Sequence, residues 1–242
     1  NEIVFNYVAT YNEVMASLNI MGQYDSNDKE NNGALNGDST LRQVQKALRD
    51  LNSTAIAGYP SGPYYLSNLG VKTNRDGSLQ FDPTKLALNF KNNPESVKAF
   101  FSNELKTDNS NVSISAYDFV NTVPGTYAFA TDNSSTHSIG GISATKNGTT
   151  FSVASGDPTG ISVSVTNNAT SANLYYGKSF LNIAMDTMDT YIKFDSVLDK
   201  RMQNISGNLK SLAEKEERLE SRIEALRARY ARQYSAMESS IA

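Results

Sequence analysis

The one histidine in the 242 residues, His137, stands among Ser134, Ser135, Thr136 and Ser138, with Asp132 close by in the chain. Hydroxyl, imidazole and carboxylate are the parts of an acyl-transfer triad, in which the imidazole takes the hydroxyl proton and the acid steadies the resulting cation. That chemistry also needs its nucleophile held on a strained strand-to-helix turn, and no Gly-x-Ser-x-Gly run occurs. Because hydroxyl side chains fill the whole stretch, His137 reads as a turn residue and no catalytic residue is assigned. A second cluster, Asp25, Asp28 and Glu30 with Asn27, Asn31 and Asn32, offers oxygen for calcium. Lys29 falls where an EF-hand loop places a ligand, so a cation site is not expected there.

Cysteine is absent, which removes disulfides, thiol nucleophiles and thiolate metal sites together. Neither a P-loop nor a dinucleotide fingerprint appears, and Gly140-Gly141 and Asn147-Gly148 read as turns. No metal or cofactor is therefore expected. Glycosylation-type triplets at Asn133, Asn147 and Asn168 fit chance in a stretch so rich in Asn, Ser and Thr. A net charge of -3 supplies no basic field for nucleic acid. The longest apolar runs fall far below the roughly eighteen residues of a membrane-spanning helix. The start at Asn1 shows no charged segment followed by an apolar core, so no cleavable signal peptide is expected, and it reads as the opening of a C-terminal portion.

The elements that must carry these residues follow from periodicity. From Val4, the positions Val8, Tyr11, Met15 and Leu18 recur at spacings of four and three, predicting an amphipathic helix that ends near Gly22. Residues 25 to 38 read as a polar loop. Asp38 or Ser39 can cap a second helix, with Leu41, Val44, Leu48 and Leu51 on one face. The run from Gly58 to Tyr65 holds Pro60, Gly62 and Pro63 and must be a loop. Val71 to Phe81 reads as a β-hairpin about Asn74-Arg75-Asp76-Gly77. Asp82-Pro83 and Asn93-Pro94 each set a capping side chain before a proline suited to the first helical position, announcing two short helices.

Composition changes at about residue 107. Between 107 and 178 there are four acids and two bases, so burial there must come from alternation rather than charge patterning. Alternating runs at 112–119, 126–131, 139–145, 149–154, 160–166 and 172–176 predict the short strands of a small all-β unit. Helix resumes near Ser179. The fold class expected is α+β: a helical core domain over 1–106 and 179–200 with a β-hairpin, an inserted all-β domain over 107–178, and a coiled-coil-like C-terminal arm over 201–242.

Along that arm the apolar residues keep one narrow stripe, the coiled-coil pattern. With Met202, Leu209, Glu216, Ile223 and Tyr230 at a, the d positions are Ile205, Leu212, Leu219, Leu226 and Gln233. A helix over this span is about 60 Å long at roughly 1.5 Å per residue, more than the globular part could cover. The stripe Met202, Ile205, Leu209, Leu212, Leu219, Ile223, Leu226 and Tyr230 is therefore the candidate assembly surface. A parallel homodimer would pair Lys215 with Glu220 but set Arg222 against Arg227, which disfavours an ordinary two-stranded zipper. Gly207 costs about 1 kcal/mol inside a helix and is expected to loosen its start.

Several stretches, taken in order, resemble the bacterial flagellar filament cap family, also called hook-associated protein 2. They are the helix Val8 to Leu18 with Tyr11-Asn12, and the run Gly37-Asp38-Ser39-Thr40-Leu41-Arg42. The hairpin from Leu69-Gly70-Val71 to Asp76-Gly77-x-Leu79-x-Phe81-Asp82, with Lys85-Leu86, is similar to the family's signature, as are Asn93-Pro94 to Phe100-Phe101. The closing helix resembles it too, through Glu216-Glu217-Arg218-Leu219-Glu220, Arg229-Tyr230 and Gln233-Tyr234-x-x-Met237-Glu238. These motifs cover 1–106 and 180–242 and leave the β unit outside.

The resemblance implies a structural assembly protein, not an enzyme. It would be secreted to the flagellar filament tip as a homo-oligomer of about five subunits. Its implied partners are flagellin, whose folding and insertion it would promote, and the hook-filament junction proteins. A rival reading is a surface adhesin whose β unit binds host glycan or mucin.

Overall fold

The computed structural model describes residues 1–241; Ala242, the last residue of the expected arm, lies outside them. The chain divides into two compact units, Asn1–Met188 and Asp189–Ala242.

In the first unit, helix α1 spans Glu2–Met21 and buries Val4, Val8, Tyr11 and Met15, the stripe its spacing predicts. Helix α2, Ser39–Ser53, starts where the Asp38 carboxylate accepts from the amides of Thr40 and Leu41, and it buries Leu41, Leu48 and Leu51. The polar loop expected over 25–38 contains one short 3-10 turn, Lys29–Asn31, capped by Asp28. Strands β1, Val71–Thr73, and β2, Leu79–Phe81, form the hairpin. Helices α3, Pro83–Asn92, and α4, Pro94–Phe101, begin as the Asp-Pro and Asn-Pro pairs announce.

These elements, with the start of α5, Phe180–Ile192, share one core. At its centre Phe100 and Phe180 stack at 4.9 Å between ring centroids, and Tyr7 meets Phe180 edge-on at 5.3 Å. Such aromatic pairs contribute about 0.5–1.5 kcal/mol beyond their burial.

The β unit is two antiparallel sheets. One has the order β3-β11-β5-β6-β7 and the other β4-β10-β9-β8. The strands are β3 (Glu104–Thr107), β4 (Val112–Ala116), β5 (Gly125–Thr131), β6 (His137–Ile139), β7 (Ile142–Ser143), β8 (Thr145–Asn147), β9 (Thr150–Ser152), β10 (Ser162–Val165) and β11 (Ser171–Gly177). Tyr127 and Phe129 of β5, Leu174 and Tyr176 of β11, Val163 and Val165 of β10 and Phe151 of β9 all enter a single second core. Strand alternation puts the intervening residues outside, which is the packing of two sheets face to face.

Three details differ from the periodicity reading. The run 139–145 is not one strand: Gly140 and Gly141, at φ +60° and +78°, turn the chain so that Ile139 faces Ile142 across a tight hairpin. The run 112–119 leaves the sheet at Ala116, and Tyr117–Val123 is a loop. Strand β3 went unforeseen because Glu104-Leu105-Lys106-Thr107 sits at an edge, exposed enough to carry charge. It pairs with the last strand, Glu104 opposite Gly177, so the chain enters and leaves the β unit side by side. The Asn103 side chain ties the two ends, its Oδ1 accepting from the Ser179 amide at 2.7 Å and from Asn182 Nδ2 at 2.8 Å.

The second unit is dominated by helix α6, Val197–Ile241, 45 residues without interruption and about 68 Å long at roughly 1.5 Å per residue. It runs straight through Gly207, so the loosening expected there does not break the helix.

Candidate functional site

Helix α6 is started by its own first turn. Ser196 Oγ accepts from the Asp199 amide at 3.3 Å, and the Asp199 carboxylate reaches back to the Asp195 amide at 2.9 Å. This reciprocal pair satisfies amides that have no intrahelical partner, and it places a carboxylate at the positive end of the helix dipole. The Ser-x-x-Asp spacing was legible in the sequence and went unused there.

Downstream, Met202, Ile205, Leu209, Leu212, Leu219, Ile223, Leu226 and Tyr230 fall on one line of the helix, with side chains 37% to 68% exposed. The structure therefore brings all eight stripe residues onto one face. At about 25 cal/mol per Å² of apolar area, covering such a face by a second helix is a sizeable driving force. Charges beside it are held loosely: Arg218 lies 3.7 Å from Glu214, an exposed pair worth little by itself. The Arg229 guanidinium lies 5.4 Å from the Tyr230 ring centre, widening the apolar line by cation–π contact.

The residues weighed for catalysis do not assemble. His137 Nδ1 lies 2.8 Å from Thr131 Oγ1, and the ring stands edge-on to Phe151. Asp132 turns instead to its own loop, where one oxygen accepts from the amides of Thr136, Ser134 and Ser135, and these bonds hold its carboxyl well below the usual range. Asp25 likewise accepts from the amides of Asn27 and Asp28, which lowers its pKa. Among the described residues no three His, Asp or Glu side chains converge, and no helix is long and apolar enough to cross a membrane.

In the helical part, the motif residues hold backbone. The Asn12 side chain lies along β2 like one more strand, its Oδ1 accepting from the Leu79 amide and its Nδ2 donating to the Leu79 carbonyl, each at 2.8 Å. Beside it the Tyr11 hydroxyl donates to the Gly77 carbonyl at 3.2 Å. Tyr7, whose pKa burial pushes well up, donates to Asn52 Oδ1 at 2.5 Å. Helix α1 is thus tied to the hairpin and to α2 by side chains from distant stretches. The family model for the flagellar hook-associated protein 2 C-terminus matches residues 1–242, the whole chain.

This chain belongs to the flagellar hook-associated protein 2 C-terminus family.

Among curated relatives, flagellar hook-associated protein 2 of Xenorhabdus nematophila is 32% identical over 105 residues, 41% of this chain and 21% of that protein. The protein of the same name in Escherichia coli K12 is 31% identical over 101 residues, 39% of this chain and 21% of its own length. The lateral flagellar hook-associated protein 2 of Vibrio parahaemolyticus is 32% identical over 98 residues, 40% of this chain and 21% of its own. The matched stretch thus spans about a fifth of each relative's length. No solved structure matches the chain.

Two features of the site had no sequence signal. Lys178 is buried in an ion pair with Asp186, its ammonium 4.3 Å from the Phe119 ring centre. The apolar side chains of Phe90, Phe101, Phe119 and Val120 are exposed, Phe101 directly after the core residue Phe100.

Proposed function

We propose that this chain is the assembly-bearing C-terminal portion of a flagellar filament cap. Its stripe on α6 pairs with a partner helix, so that the full-length protein forms a ring of about five subunits at the filament tip, meets flagellin and the hook-filament junction proteins, and promotes flagellin folding and insertion. Secretion to the flagellum belongs to the same reading. Membership in the hook-associated protein 2 family supports it, and the single observation that carries it is the exposed apolar line on a 45-residue helix. A helix that long gains most of its stability from packing a face rather than from propensity. The test is the double variant Leu212→Asp, Leu219→Asp in the full-length protein, followed by light scattering and by filament growth in cells lacking the native copy. The expected result is a fall from oligomer to protomer mass with arrested filaments. An unchanged mass refutes the seam.

A second reading, a surface adhesin for host glycan or mucin, is supported by an open groove of about 640 Å³ on the outer face of the five-stranded sheet. Ala128 and Ala130 form its floor, and Asp108, Asn109, Ser171 and Asn173 supply donors and acceptors at its edge. Because Glu104 and Gly177 are paired neighbours, the β unit can be excised and the ends rejoined. Under this reading the excised protein still elongates filaments and loses attachment to mucin.

A further inference from the structure

The hairpin of β1 and β2 has two outer edges, and the protein treats them differently. The bonds at its ends, from the Asn74 amide to the Ser78 carbonyl at 2.8 Å and from the Asp82 amide to the Gly70 carbonyl at 2.9 Å, fix the alternation of the ladder. Lys72 and Gln80 are therefore a bonded pair, while Val71, Thr73, Leu79 and Phe81 turn their amides and carbonyls outward. On β2 the outward groups of Leu79 are taken by the Asn12 side chain. On β1 the outward groups of Val71 and Thr73 have no hydrogen-bond partner among the described residues. An unpaired edge of this kind is a template for one more strand.

Gly70, Val71, Lys72 and Thr73 line a cleft of about 370 Å³ in succession, so the cleft follows β1. The buried residues Leu66, Val71 and Leu79 give it apolar lining, and Ser53, Ser67 and Tyr65 add hydroxyls. Its charged lining is of one sign, Lys72 and Lys85, both exposed, with no acid beside them in the cleft. Neither lysine forms an ion pair among the described residues. Asp82, one turn before Lys85, gives its carboxylate to the amides of Thr84 and Lys85. Two unpaired cations beside a row of free main-chain donors and acceptors select for a strand that carries acid.

We propose that this cleft takes an extended acidic peptide segment of another protein, which adds to β1 as a third strand and sets carboxylates against Lys72 and Lys85. In strand addition the main-chain bonds, here to Val71 and Thr73, supply affinity, and the flanking side chains supply selectivity. Because β1 is only three residues long, it offers too short a ladder to capture any strand unaided, and the two ammonium groups decide which one enters. Exposed ion pairs are weak and screened by salt, so the contact is a transient, salt-sensitive one. It uses no residue of α6 and stands whether or not the stripe there pairs.

The test uses the full chain and a fluorescein-labelled peptide, Gly-Glu-Thr-Glu-Val-Glu-Thr-Gly, read by anisotropy at low salt. The expected result is saturable binding that weakens about ten-fold or more in the double variant Lys72→Glu, Lys85→Glu, because reversal sets like charges together. Replacing the peptide's Glu residues by Lys is expected to weaken it as much. Both lysines are exposed, and an unchanged thermal midpoint checks that the variant is folded. Methylating the peptide's amide nitrogens at its Glu residues, and separately at its Thr and Val residues, distinguishes strand addition from charge alone. An added strand presents one alternate set of amides to β1, so one methylated peptide is expected to lose binding and the other to keep it. In the bound protein the Val71 and Thr73 amides are expected to exchange more slowly, while that of Lys72, already bonded to Gln80, is unchanged. Absence of saturable binding, or equal binding of the Glu and Lys peptides, overturns the proposal. So does retention of binding by both methylated peptides, which leaves a site for polyanions only. A fall in the parent's mass by light scattering as peptide is added seats a second copy in the cleft and overturns it as well.

Discussion

Along β5 and β11 alternate side chains are buried, and the two sheets cover each other's apolar faces; from Met202 to Tyr230 the apolar side chains recur every three or four residues, save for one step of seven across Glu216, and stay open to solvent. The first region satisfies its hydrophobic pattern within itself. The second has the pattern and lacks the surface that would complete it. Both patterns are regular in sequence, so regularity alone does not separate a region that carries its own core from one that leaves its apolar face exposed. What separates them is period and length. A period of two closes when the chain returns through short turns, whereas a helix of 45 residues cannot fold back on itself.

The strongest way to break this comparison is to delete matched apolar groups from each region. Phe129 is 1% exposed, and Phe129→Ala is expected to cost about 3–5 kcal/mol by chemical denaturation, the range for emptying a core aromatic site. Leu212→Ala in this chain alone is expected to stay within about 0.5 kcal/mol, as at other surface positions, while weakening self-association of the full-length protein. Equal losses at the two sites would show that α6 is already covered.

A smaller effect is expected where the β unit meets the helical part. Gly58 sits at φ +81°, and a Cβ there would come within 1.9 Å of the Tyr176 carbonyl oxygen of β11. Gly58→Ala therefore meets both an unfavourable backbone conformation and a backbone atom that cannot step aside. The expected loss exceeds about 1 kcal/mol. At roughly 2–4 °C per kcal/mol for a chain of this size, the thermal midpoint falls measurably. An unshifted midpoint would mean that the joint yields, making the β unit a loosely hung module.

Much of this architecture was legible beforehand, and the exceptions have physical causes. Helix starts could be read from Asp38, Asp82 and Asn93 because a cap is a local event, decided within three residues. The stripe on α6 could be read because one period persists for thirty residues or so. Strand ends were harder. Gly140-Gly141 broke an apparently continuous run, and β3 has no alternation because it is an edge strand with no buried face. The Asn12 clamp on Leu79 and the Lys178–Asp186 pair were not legible, since each depends on which distant backbone arrives beside it. The exposed Phe90 and Val120 carry no signal either, because an apolar letter is the same whether its side chain is buried or open to solvent.

Gly207 sharpens the comparison from the other side. A Cβ added there meets nothing within 4 Å, and the residue already has helical geometry within α6. Gly207→Ala is expected to stabilise the helix by about 1 kcal/mol, read as slower amide exchange over the turns around it. Glycine inside a strand of the β unit would not behave this way, because there each position is either packed or paired. If the amides around position 207 exchange no more slowly, the helix is held by something other than its own propensity.

The smallest expected effect concerns how far self-sufficiency in the β unit extends into its turns. The amides of Thr136, Ser134 and Ser135 donate to Asp132 and hold its carboxyl well below the ordinary value of 3.8. A depressed folded value means that the ionised form is favoured by folding. Its contribution is complete above the unfolded pKa and fades as pH falls through the lower, folded one. Asp132→Asn keeps an oxygen that accepts and loses the charge, so the parent is expected to be more stable than the variant at pH 7, with the gap closing below about pH 4. Parallel denaturation series at pH 7, 4 and 2 measure it, and because the difference is taken between two otherwise identical chains, the remaining carboxylates cancel. A gap that is flat with pH would show that the charge contributes nothing and that the loop is held by the geometry of β5 and β6 alone.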